Sequence, residues 1–261
     1  MDMTMYDLSG KVAIITGSTR GIGNAIAKLM ARNGAAVVIT GRKQEACDKV
    51  AQEIIDEGGK AIGVATSVDD PASRENLVKT TVEKLGRIDI LVNNAGVGGQ
   101  PKNMIDMDEE YYDLVMNADL KAVYFMSQLV ARQMKEQGRE AGVDPYRIIN
   151  MSSAAGIKSP RGDTVYGSAK AAVTHLTRIM ANELARYGVT CNAIAPGYVL
   201  TDMTKDVMAD EKNAAAVTRM ISLRRYAMPQ EIATVAAFLA SPAAAYVTGV
   251  LIPVDGGMTI N

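Results

Sequence analysis

A tyrosine and a lysine four residues apart are the side chains of this sequence best suited to move a proton. If the segment around them is helical, Tyr166 and Lys170 lie about 40° apart in azimuth and share one face at neighbour distance. An ammonium beside a phenol favours the phenolate and lowers the pKa of the phenol, which brings proton transfer closer to neutral pH. A surface pair can have the same spacing, so the interpretation depends on the surrounding sequence.

A serine-rich segment comes before that predicted helix. Ser152 and Ser153 directly follow a predicted strand, residues 147–151. A hydroxyl at the carboxyl end of a strand lies where open parallel sheets bind ligands, and it can hydrogen-bond a carbonyl oxygen. A capping or turn serine is the alternative. Ser153 is therefore a candidate partner of Tyr166 and Lys170.

Glycines follow the first predicted strand, residues 12–16, and lead into a predicted helix, residues 22–33. Such glycines permit a tight turn and let backbone N–H groups at a helix N-terminus approach a pyrophosphate. A close strand-to-helix turn without a ligand is the alternative, but the strand–loop–helix order favours a dinucleotide. The predicted phosphate loop comprises Gly17, Ser18, Thr19, Arg20, Gly21, Ile22 and Gly23.

The end of the second predicted strand, residues 36–40, favours NADP(H) over NAD(H). A site for NAD(H) usually places an acidic side chain there, on the ribose 2′-hydroxyl, whereas this sequence has Gly41 and Arg42. Arg20 and Arg42 can pair with a 2′-phosphate through charge-assisted hydrogen bonds. Two solvated surface arginines are the alternative.

Strands and helices alternate along the whole chain. The predicted strands are residues 12–16, 36–40, 61–65, 88–92, 147–151, 190–195 and 250–254, and the predicted helices are 22–33, 44–57, 71–85, 108–137, 164–187 and 229–239. This alternation indicates right-handed βαβ units and an α/β fold with a doubly wound parallel sheet, Rossmann-like. No linker divides the elements, so residues 1–261 are predicted to form one domain, with a substrate lid at about 198–228.

Composition excludes several classes of function. With 28 basic and 29 acidic residues the net charge is −1, so no positive field favours nucleic acid or an anionic bilayer. The first residues lack the pattern of a secretory signal, and the most apolar tract, residues 232–250, is interrupted by Pro242. Cys47 and Cys191 form no C-x-x-C pair and His175 is the sole histidine, so we expect no metal. The sequence predicts a cytoplasmic protein that acts on a small molecule.

The ordered motifs resemble those of the short-chain dehydrogenase/reductase family, and the match covers nearly the whole chain. They are Thr16-Gly17-x-x-x-Gly21-x-Gly23, Asn93-Asn94-Ala95-Gly96, Ser153 placed thirteen residues before Tyr166-x-x-x-Lys170, Pro196-Gly197, and Val254-Asp255-Gly256-Gly257. Any one of these motifs is weak, but the ordered set is specific.

The resemblance implies hydride transfer between NADP(H) and a carbonyl carbon, without a metal. It makes Tyr166 the general acid in reduction and the general base in oxidation. Lys170 would bind the nicotinamide ribose and lower the pKa of Tyr166, and Ser153 would hold the substrate oxygen. The family's further cofactor contacts fall on the phosphate loop, Val68, Asn94, Val199 and Thr201. The resemblance also implies a homotetramer, with the long helices and the strand near Asp255 at the interfaces.

One departure from the family pattern concerns the proton relay. Asp119 stands where the family usually has an asparagine that helps to hold a relay water beside the lysine. Asn117 lies two residues earlier, about 200° around a helix, and cannot replace it without a distortion such as a π-bulge. An ionised Asp119 would stabilise the charge of Lys170 and oppose the phenolate of Tyr166. We expect a modified relay rather than an inactive site.

The sequence leaves the substrate open. The leading interpretation is a ketone reductase acting on 3-oxoacyl thioesters or similar aliphatic ketones. Met203, Met208 and Met220 in the predicted lid would adapt to an apolar substrate, and core packing of these methionines is the alternative. Oxidation of a sugar acid, polyol or other secondary alcohol is the enzyme alternative, and delivery by a carrier protein is open. A nucleotide-binding regulatory protein with little turnover is the alternative from another class, and Asp119 alone favours it.

Overall fold

Seven parallel strands form the central sheet of the protein, seen in a computed structural model that describes residues 3–98, 102–138, 144–205 and 209–260. The strands are β1 (Val12–Ile15), β2 (Ala36–Gly41), β3 (Lys60–Ala65), β4 (Ile90–Asn93), β5 (Tyr146–Met151), β6 (Val189–Pro196) and β7 (Leu251–Val254). Their spatial order is β3-β2-β1-β4-β5-β6-β7. The order reverses between β1 and β4, where open α/β sheets bind ligands. The prediction of a doubly wound parallel sheet is confirmed.

Helices cover both faces of this sheet. They are α1 (Gly21–Arg32), α2 (Gln44–Asp56), α3 (Pro71–Leu85), α4 (Glu109–Met116), α5 (Ala122–Gln137), α6 (Thr164–Leu184), α7 (Glu211–Met220) and α8 (Pro229–Ala240). Ile15 packs in a buried cluster with side chains of α1, α2 and α8. Its neighbour Ile14 packs in a second buried cluster with side chains of α3, α5 and α6. Successive strand residues point to opposite faces, so uninterrupted apolar strands supply both cores. No helix in the described ranges is long and apolar enough to cross a bilayer.

The prediction of one long helix over about residues 108–137 is confirmed in extent, but its centre is π-helical rather than α-helical. A five-residue π-helical turn, Asn117–Lys121, separates α4 from α5 and buries Asp119. A π turn widens the backbone by one residue and changes which side chains face the neighbouring elements. The periodicity of apolar residues does not reveal this insertion, because the turn is continuous with α-helix on both sides.

The segment after β6 is the long excursion predicted as a lid. Within it Asp210 caps the start of α7, and its Oδ1 accepts hydrogen bonds from the N–H groups of Lys212 and Asn213 at 2.9 Å each. Val217 and Ile221 hold the segment to the domain by packing with Ala154 and Met258, among others. Met208 lies outside the described residues, as do residues 139–143 of the predicted insertion 138–145.

Buried asparagines fasten β4 and β5 together just below their carboxyl ends. Asn93 Nδ2 donates to Asn150 Oδ1 at 2.8 Å and to Ser127 Oγ at 2.9 Å. Asn150 Nδ2 donates to Thr177 Oγ1 at 2.9 Å, which links the strands to α6. The chain leaves both strands from this fixed base, so the residues that follow Asn93 and Asn150 start from defined positions.

Replacing Asn150 tests this network. Asn150→Ala removes the acceptor of Asn93 and the donor to Thr177 in a site without water access, and we expect the free energy of unfolding to fall by about 2–3 kcal/mol. Urea denaturation followed by circular dichroism measures the loss. Asn76→Ala, at an exposed position of α3, is the matched control. Equal stability of the two variants would show that the network contributes little.

Candidate active site

Tyr166 and Lys170 occupy the first turns of α6 and lie on one face of it. The Lys170 ammonium is buried, with 4% of the residue exposed, and donates to the backbone oxygen of Met151 at 3.0 Å. Its Nζ lies 5.6 Å from the centre of the Tyr166 ring. The structure therefore brings together the phenol and the ammonium that the spacing predicts, beside the end of β5.

The two serines after β5 have different roles. Ser153 accepts a hydrogen bond from the N–H of Ala155 at 3.1 Å, and its hydroxyl lies close enough to the Tyr166 phenol to act toward lowering the pKa of that phenol. Ser152 is buried, and its Oγ donates to the backbone oxygen of Lys170 at 2.9 Å. Only Ser153 points toward the phenol. Ser152 fixes the distance between β5 and α6.

Asp119 pairs with the Lys170 ammonium and with the backbone after β4. Its Oδ1 lies 2.9 Å from Lys170 Nζ, and its Oδ2 accepts from the N–H of Val97 at 2.9 Å. Oδ1 accepts no well-aligned hydrogen bond within the described residues, so its contact with Lys170 is mainly ionic. Gly96 lies directly against the carboxylate, where a larger residue would displace it. The π turn thus presents Asp119, not Asn117, to Lys170.

Burial and charge act in opposite directions on Lys170. Burial favours its neutral amine, but the Asp119 carboxylate and the Tyr166 phenol outweigh this effect and raise the pKa of Lys170. Burial is also the largest influence on Tyr166 and raises the pKa of the phenol. Lys170 and the Ser153 hydroxyl oppose that rise, whereas Asp119 and Asp163 add to it. Lys170 does lower the pKa of Tyr166, as the spacing predicts, but burial raises that pKa by more. The sequence spacing does not reveal the burial of the phenol.

The predicted phosphate loop is held by hydrogen bonds to the neighbouring strands. Asn94 Nδ2 donates to the backbone oxygens of Thr16, at 2.9 Å, and Gly17, at 3.2 Å. Ser18 is fully buried, and its Oγ donates to the oxygen of Ile15 at 2.7 Å and accepts from the N–H of Thr40 at 2.9 Å. The Asn94 and Ser18 side chains therefore position the loop itself.

The loop has the shape and the free N–H groups that a pyrophosphate needs. Arg20 precedes α1 but provides no side-chain cap, so the first-turn N–H groups of the helix are available to an anion. A Cβ on Gly23 would lie 2.6 Å from the oxygen of Gly17, so only glycine permits this compact loop. A Cβ on Gly21 would lie 3.5 Å from the Thr201 methyl group. Thr201 therefore lies across from the phosphate loop, as a residue that contacts the cofactor must.

Arg20 and Arg42 lie at the surface on different sides of this loop. Arg20 is 3.2 Å from Asp202, and both side chains are largely exposed, so their ion pair is weak and can exchange. Arg42 is exposed after β2. The Ser67 hydroxyl and, to a smaller degree, the Arg42 charge lower the pKa of Asp69. Arg42 therefore lies near the end of β3, where Val68 is also found.

Thr204 and Asp163 also shape this region, although the sequence analysis did not single them out. Val199 is buried, and its oxygen accepts from Thr204 Oγ1 at 2.6 Å, while the same hydroxyl accepts from the N–H of Thr201 at 3.1 Å. Thr204 thus shapes the turn that presents Thr201, and sequence reasoning missed it. Asp163, at the start of α6, was also missed, although its position three residues before Tyr166 indicates a shared face.

The remaining candidates for reactive chemistry lie away from this centre. His175 is exposed on α6. Burial raises the pKa of the Cys47 thiol to about 11 and that of Cys191 to about 12, so neither is a thiolate near neutral pH. Among the described residues, no group of three or more His, Cys, Asp or Glu side chains is arranged to hold a metal.

Known proteins share this fold and these motifs along the full chain. The family model described as enoyl-(acyl carrier protein) reductase matches residues 17–259. A 3-oxoacyl-[acyl-carrier-protein] reductase of Synechocystis sp. is 41% identical over 258 residues, which cover 98% of this chain and 100% of that protein. A 2-dehydro-3-deoxy-D-gluconate 5-dehydrogenase of Dickeya dadantii is 36% identical over 259 residues, which cover 98% of each.

Solved structures agree with these matches. A gluconate 5-dehydrogenase from Burkholderia cenocepacia, crystallised in complex with NADP and tartrate, superposes with a TM-score of 0.94 at 31% identity and covers 100% of both chains. The similarity therefore includes the whole sheet, the phosphate loop and the helix that carries Tyr166 and Lys170. With this sheet order and these full-length matches, the chain belongs to the short-chain dehydrogenase/reductase family of oxidoreductases.

Proposed function

We propose that this protein is an NADP(H)-dependent enzyme that transfers a hydride between the cofactor and a ketone or secondary alcohol, mainly as a ketone reductase. The observation that carries the proposal is the position of the Tyr166 phenol, with the buried Lys170 Nζ 5.6 Å from its ring centre and the Ser153 hydroxyl close enough to influence its pKa. These three groups surround one position at the carboxyl ends of the strands, next to the phosphate loop. A carbonyl oxygen placed there has a hydroxyl to bind it and a phenol to protonate it.

Each residue has a distinct part in the proposed reaction. NADPH, when bound, supplies the hydride that attacks the carbonyl carbon. Ser153 holds the carbonyl oxygen, and Tyr166 donates the proton that this oxygen requires as it becomes an alkoxide. Lys170 keeps a positive charge beside the phenol. When Tyr166 gives up its proton, this charge stabilises the negative phenolate that remains. Asp119 holds Lys170 in that position.

The charges around Tyr166 set the pH range in which each direction of the reaction is catalysed. Reduction needs the neutral phenol as a proton donor, and oxidation needs the phenolate as a base. Burial, Asp119 and Asp163 raise the pKa of Tyr166, so the neutral form is retained at higher pH. Asp119, in place of the family's asparagine, therefore moves the pH limits of catalysis upward rather than abolishing catalysis.

The proposed cofactor site extends from β1 to β6. Its residues are Gly17, Ser18, Thr19, Arg20, Gly21, Ile22, Gly23, Arg42, Val68, Asn94, Tyr166, Lys170, Val199 and Thr201. The free N–H groups at the start of α1 support a pyrophosphate here, and the absence of an acid at Arg42 supports a 2′-phosphate. A relative of the same fold was crystallised with NADP, which supports the same choice.

Two substrate classes accord with the relatives, which include 3-oxoacyl-[acyl-carrier-protein] reductases and sugar-acid dehydrogenases. Met203 is 59% exposed beside Gly98, and Met220 is 45% exposed on α7, so apolar groups are available to a substrate in the proposed lid, residues 198–228. A regulatory protein that binds nucleotide without turnover is the competing proposal that Asp119 favours. The intact contacts among Ser153, Tyr166 and Lys170 argue against it.

We further propose that the enzyme is a cytoplasmic homotetramer acting on a small molecule. Large apolar side chains are exposed on α5, where Tyr124 is 46% exposed and Phe125 37%, and near the C-terminus, where Ile260 is 88% exposed. Exposed apolar patches of this kind support burial against further copies of the chain. The two cysteines are free and buried, as is usual in a reducing compartment.

Replacing the Tyr166 hydroxyl tests the proposed reaction. Tyr166→Phe keeps the ring but removes the proton donor, so we expect kcat to fall by about 10²–10⁴-fold while NADPH still binds. Turnover is followed by loss of NADPH absorbance, and binding by fluorescence titration. Tyr6→Phe, far from the site, is the control. Undiminished turnover in Tyr166→Phe would contradict the assigned role, whereas NADPH binding by the wild type without turnover of any ketone would favour the regulatory alternative.

Removing the Arg42 charge tests the choice of cofactor. If the guanidinium pairs with the 2′-phosphate, Arg42→Ala should lower kcat/KM for NADPH by about 10–100-fold and leave that for NADH almost unchanged. Lys43→Ala, the neighbouring loss of one positive charge, controls for general electrostatic attraction. A wild-type enzyme with a higher kcat/KM for NADH than for NADPH would contradict the assignment to NADP(H).

Neutralising Asp119 tests the electrostatic role of the modified relay. Asp119→Asn keeps an acceptor for the Val97 N–H but removes a negative charge that raises the pKa of Tyr166, so that pKa should fall. The alkaline limb of the pH profile for ketone reduction should then move to lower pH, and alcohol oxidation should become faster below its own limb. Asp113→Asn, exposed on α4, is the control. Unchanged profiles would show that Asp119 does not act on Tyr166.

A further inference from the structure

The aspartate at the start of α6 does not cap the helix as an aspartate at this position usually does. Asp163 is the N-cap residue of α6, yet its side chain makes no capping hydrogen bond. The aspartates at the starts of α3, α4 and α7 all accept hydrogen bonds from first-turn N–H groups. The Asp163 carboxylate is thus directed elsewhere, although capping would stabilise the helix.

This carboxylate lies next to the candidate active site. Asp163 comes one turn before Tyr166, and its charge acts on the hydroxyls of both Tyr166 and Tyr198. On the opposite side, the Lys102 backbone forms a parallel bridge with Asp163, and the Lys102 N–H donates to the oxygen of Gly162 at 3.0 Å. Asp163 is partly exposed and lies among α6, the segment that follows β6 and the loop before α4.

No protein group neutralises the Asp163 carboxylate within the described part of the chain. Burial alone accounts for the raised pKa of this carboxyl, with no cation or hydrogen-bond donor lowering it. Lys102 is its neighbour through the backbone, but the Lys102 ammonium pairs with Asp108 instead. A half-buried acceptor beside the reacting phenol is therefore left without a partner.

A second unsatisfied group lies on the other side of Tyr198. The Tyr226 hydroxyl is buried and has no hydrogen-bond partner among the described residues. Its ring packs edge-on against that of Tyr198, with 6.1 Å between the ring centres. Buried polar groups are usually paired, so an unpaired hydroxyl calls for an explanation, of which a bound ligand is one. Asp163 offers an acceptor, and the tyrosines offer hydroxyls.

We propose that Asp163 binds a hydroxyl group of the substrate, so that the natural substrate is a neutral polyhydroxylated ketone or its alcohol. This inference rests on the proposed function and names the substrate class of the same site. A substrate hydroxyl near the reacting carbonyl donates to the carboxylate in a charge-assisted hydrogen bond. A substrate carboxylate at this place would be repelled, and a plain acyl chain that covers Asp163 would displace water from the carboxylate without replacing its hydrogen bonds.

Substrate discrimination in Asp163 variants tests the inference. With NADPH fixed at saturation, kcat/KM is measured for dihydroxyacetone, erythrulose and fructose, and for acetone, 2-butanone and 2-hexanone as unsubstituted partners. Acetoacetyl thioester serves as the acyl substrate. The quantity compared is the ratio of kcat/KM within each matched pair. A change in the pKa of Tyr166 affects both members of a pair alike, so the ratio isolates the hydroxyl contact from the shared proton step.

We expect the wild type to favour the hydroxylated member of at least one pair, and Asp163→Leu to lower that ratio by about 10–100-fold. Asp163→Asn is nearly the same size as the wild type and keeps an acceptor, so it should lower the ratio less. This variant keeps the test valid if the leucine variant folds poorly. Glu75→Gln, exposed on α3, is the control for loss of a negative charge.

Two results would overturn the proposal, and they differ from failure of the proposed function. One is a wild-type preference for acetoacetyl thioester or the unsubstituted ketones. The other is a hydroxylated preference that both Asp163 variants retain in full. If no ketone is reduced by any variant while NADPH binds, the proposed function itself is contradicted, and the substrate inference with it.

Discussion

The buried ammonium of Lys170 is the charge around which the active site is arranged. An ammonium removed from water needs both an opposite charge and hydrogen-bond acceptors, because an unpaired one at this depth would deprotonate or unfold the site. Asp119 supplies the charge and Met151 the backbone acceptor. These partners belong to the π turn and to the end of β5, while Lys170 belongs to α6, so three elements must meet within hydrogen-bond distance. The π turn is the local distortion that makes this meeting possible.

The same region joins the proton-transfer groups to the phosphate loop through two consecutive asparagines. Asn93 points toward β5 and holds Asn150, while Asn94 points the other way and holds Thr16 and Gly17. Alternation along a strand therefore directs one amide to each side of the ligand-binding position. A shift in β4 would disturb the serine-rich turn and the phosphate loop together. The sheet, rather than the exposed loops, thus sets the position of Tyr166 relative to the phosphate loop.

The sequence predicted the sheet, the helices on its two faces and the positions of the reactive groups, because these depend on periodicity and on spacing within single elements. It could not predict the π turn, since the pattern of apolar residues is continuous from Tyr111 to Met134. It also gave the wrong net direction for the pKa of Tyr166, because burial is a property of the assembled site. Ser18 and Asn94 match the family motif, but their contacts with the strands appear only when β1, β2 and β4 are assembled.

The charges around Tyr166 link substrate binding to proton transfer. Two carboxylates and one ammonium act on the phenol, and the carboxylates differ in their access to a ligand. Asp119 is buried and bound to Lys170 and Val97, so its effect on the pKa of Tyr166 does not depend on a ligand. Asp163 is partly exposed and has no protein partner among the described residues. On the proposal that a substrate hydroxyl donates to Asp163, that hydrogen bond would weaken the influence of the carboxylate on the phenol. The phenol would then be a stronger acid while the substrate is bound, which is when the proton is needed.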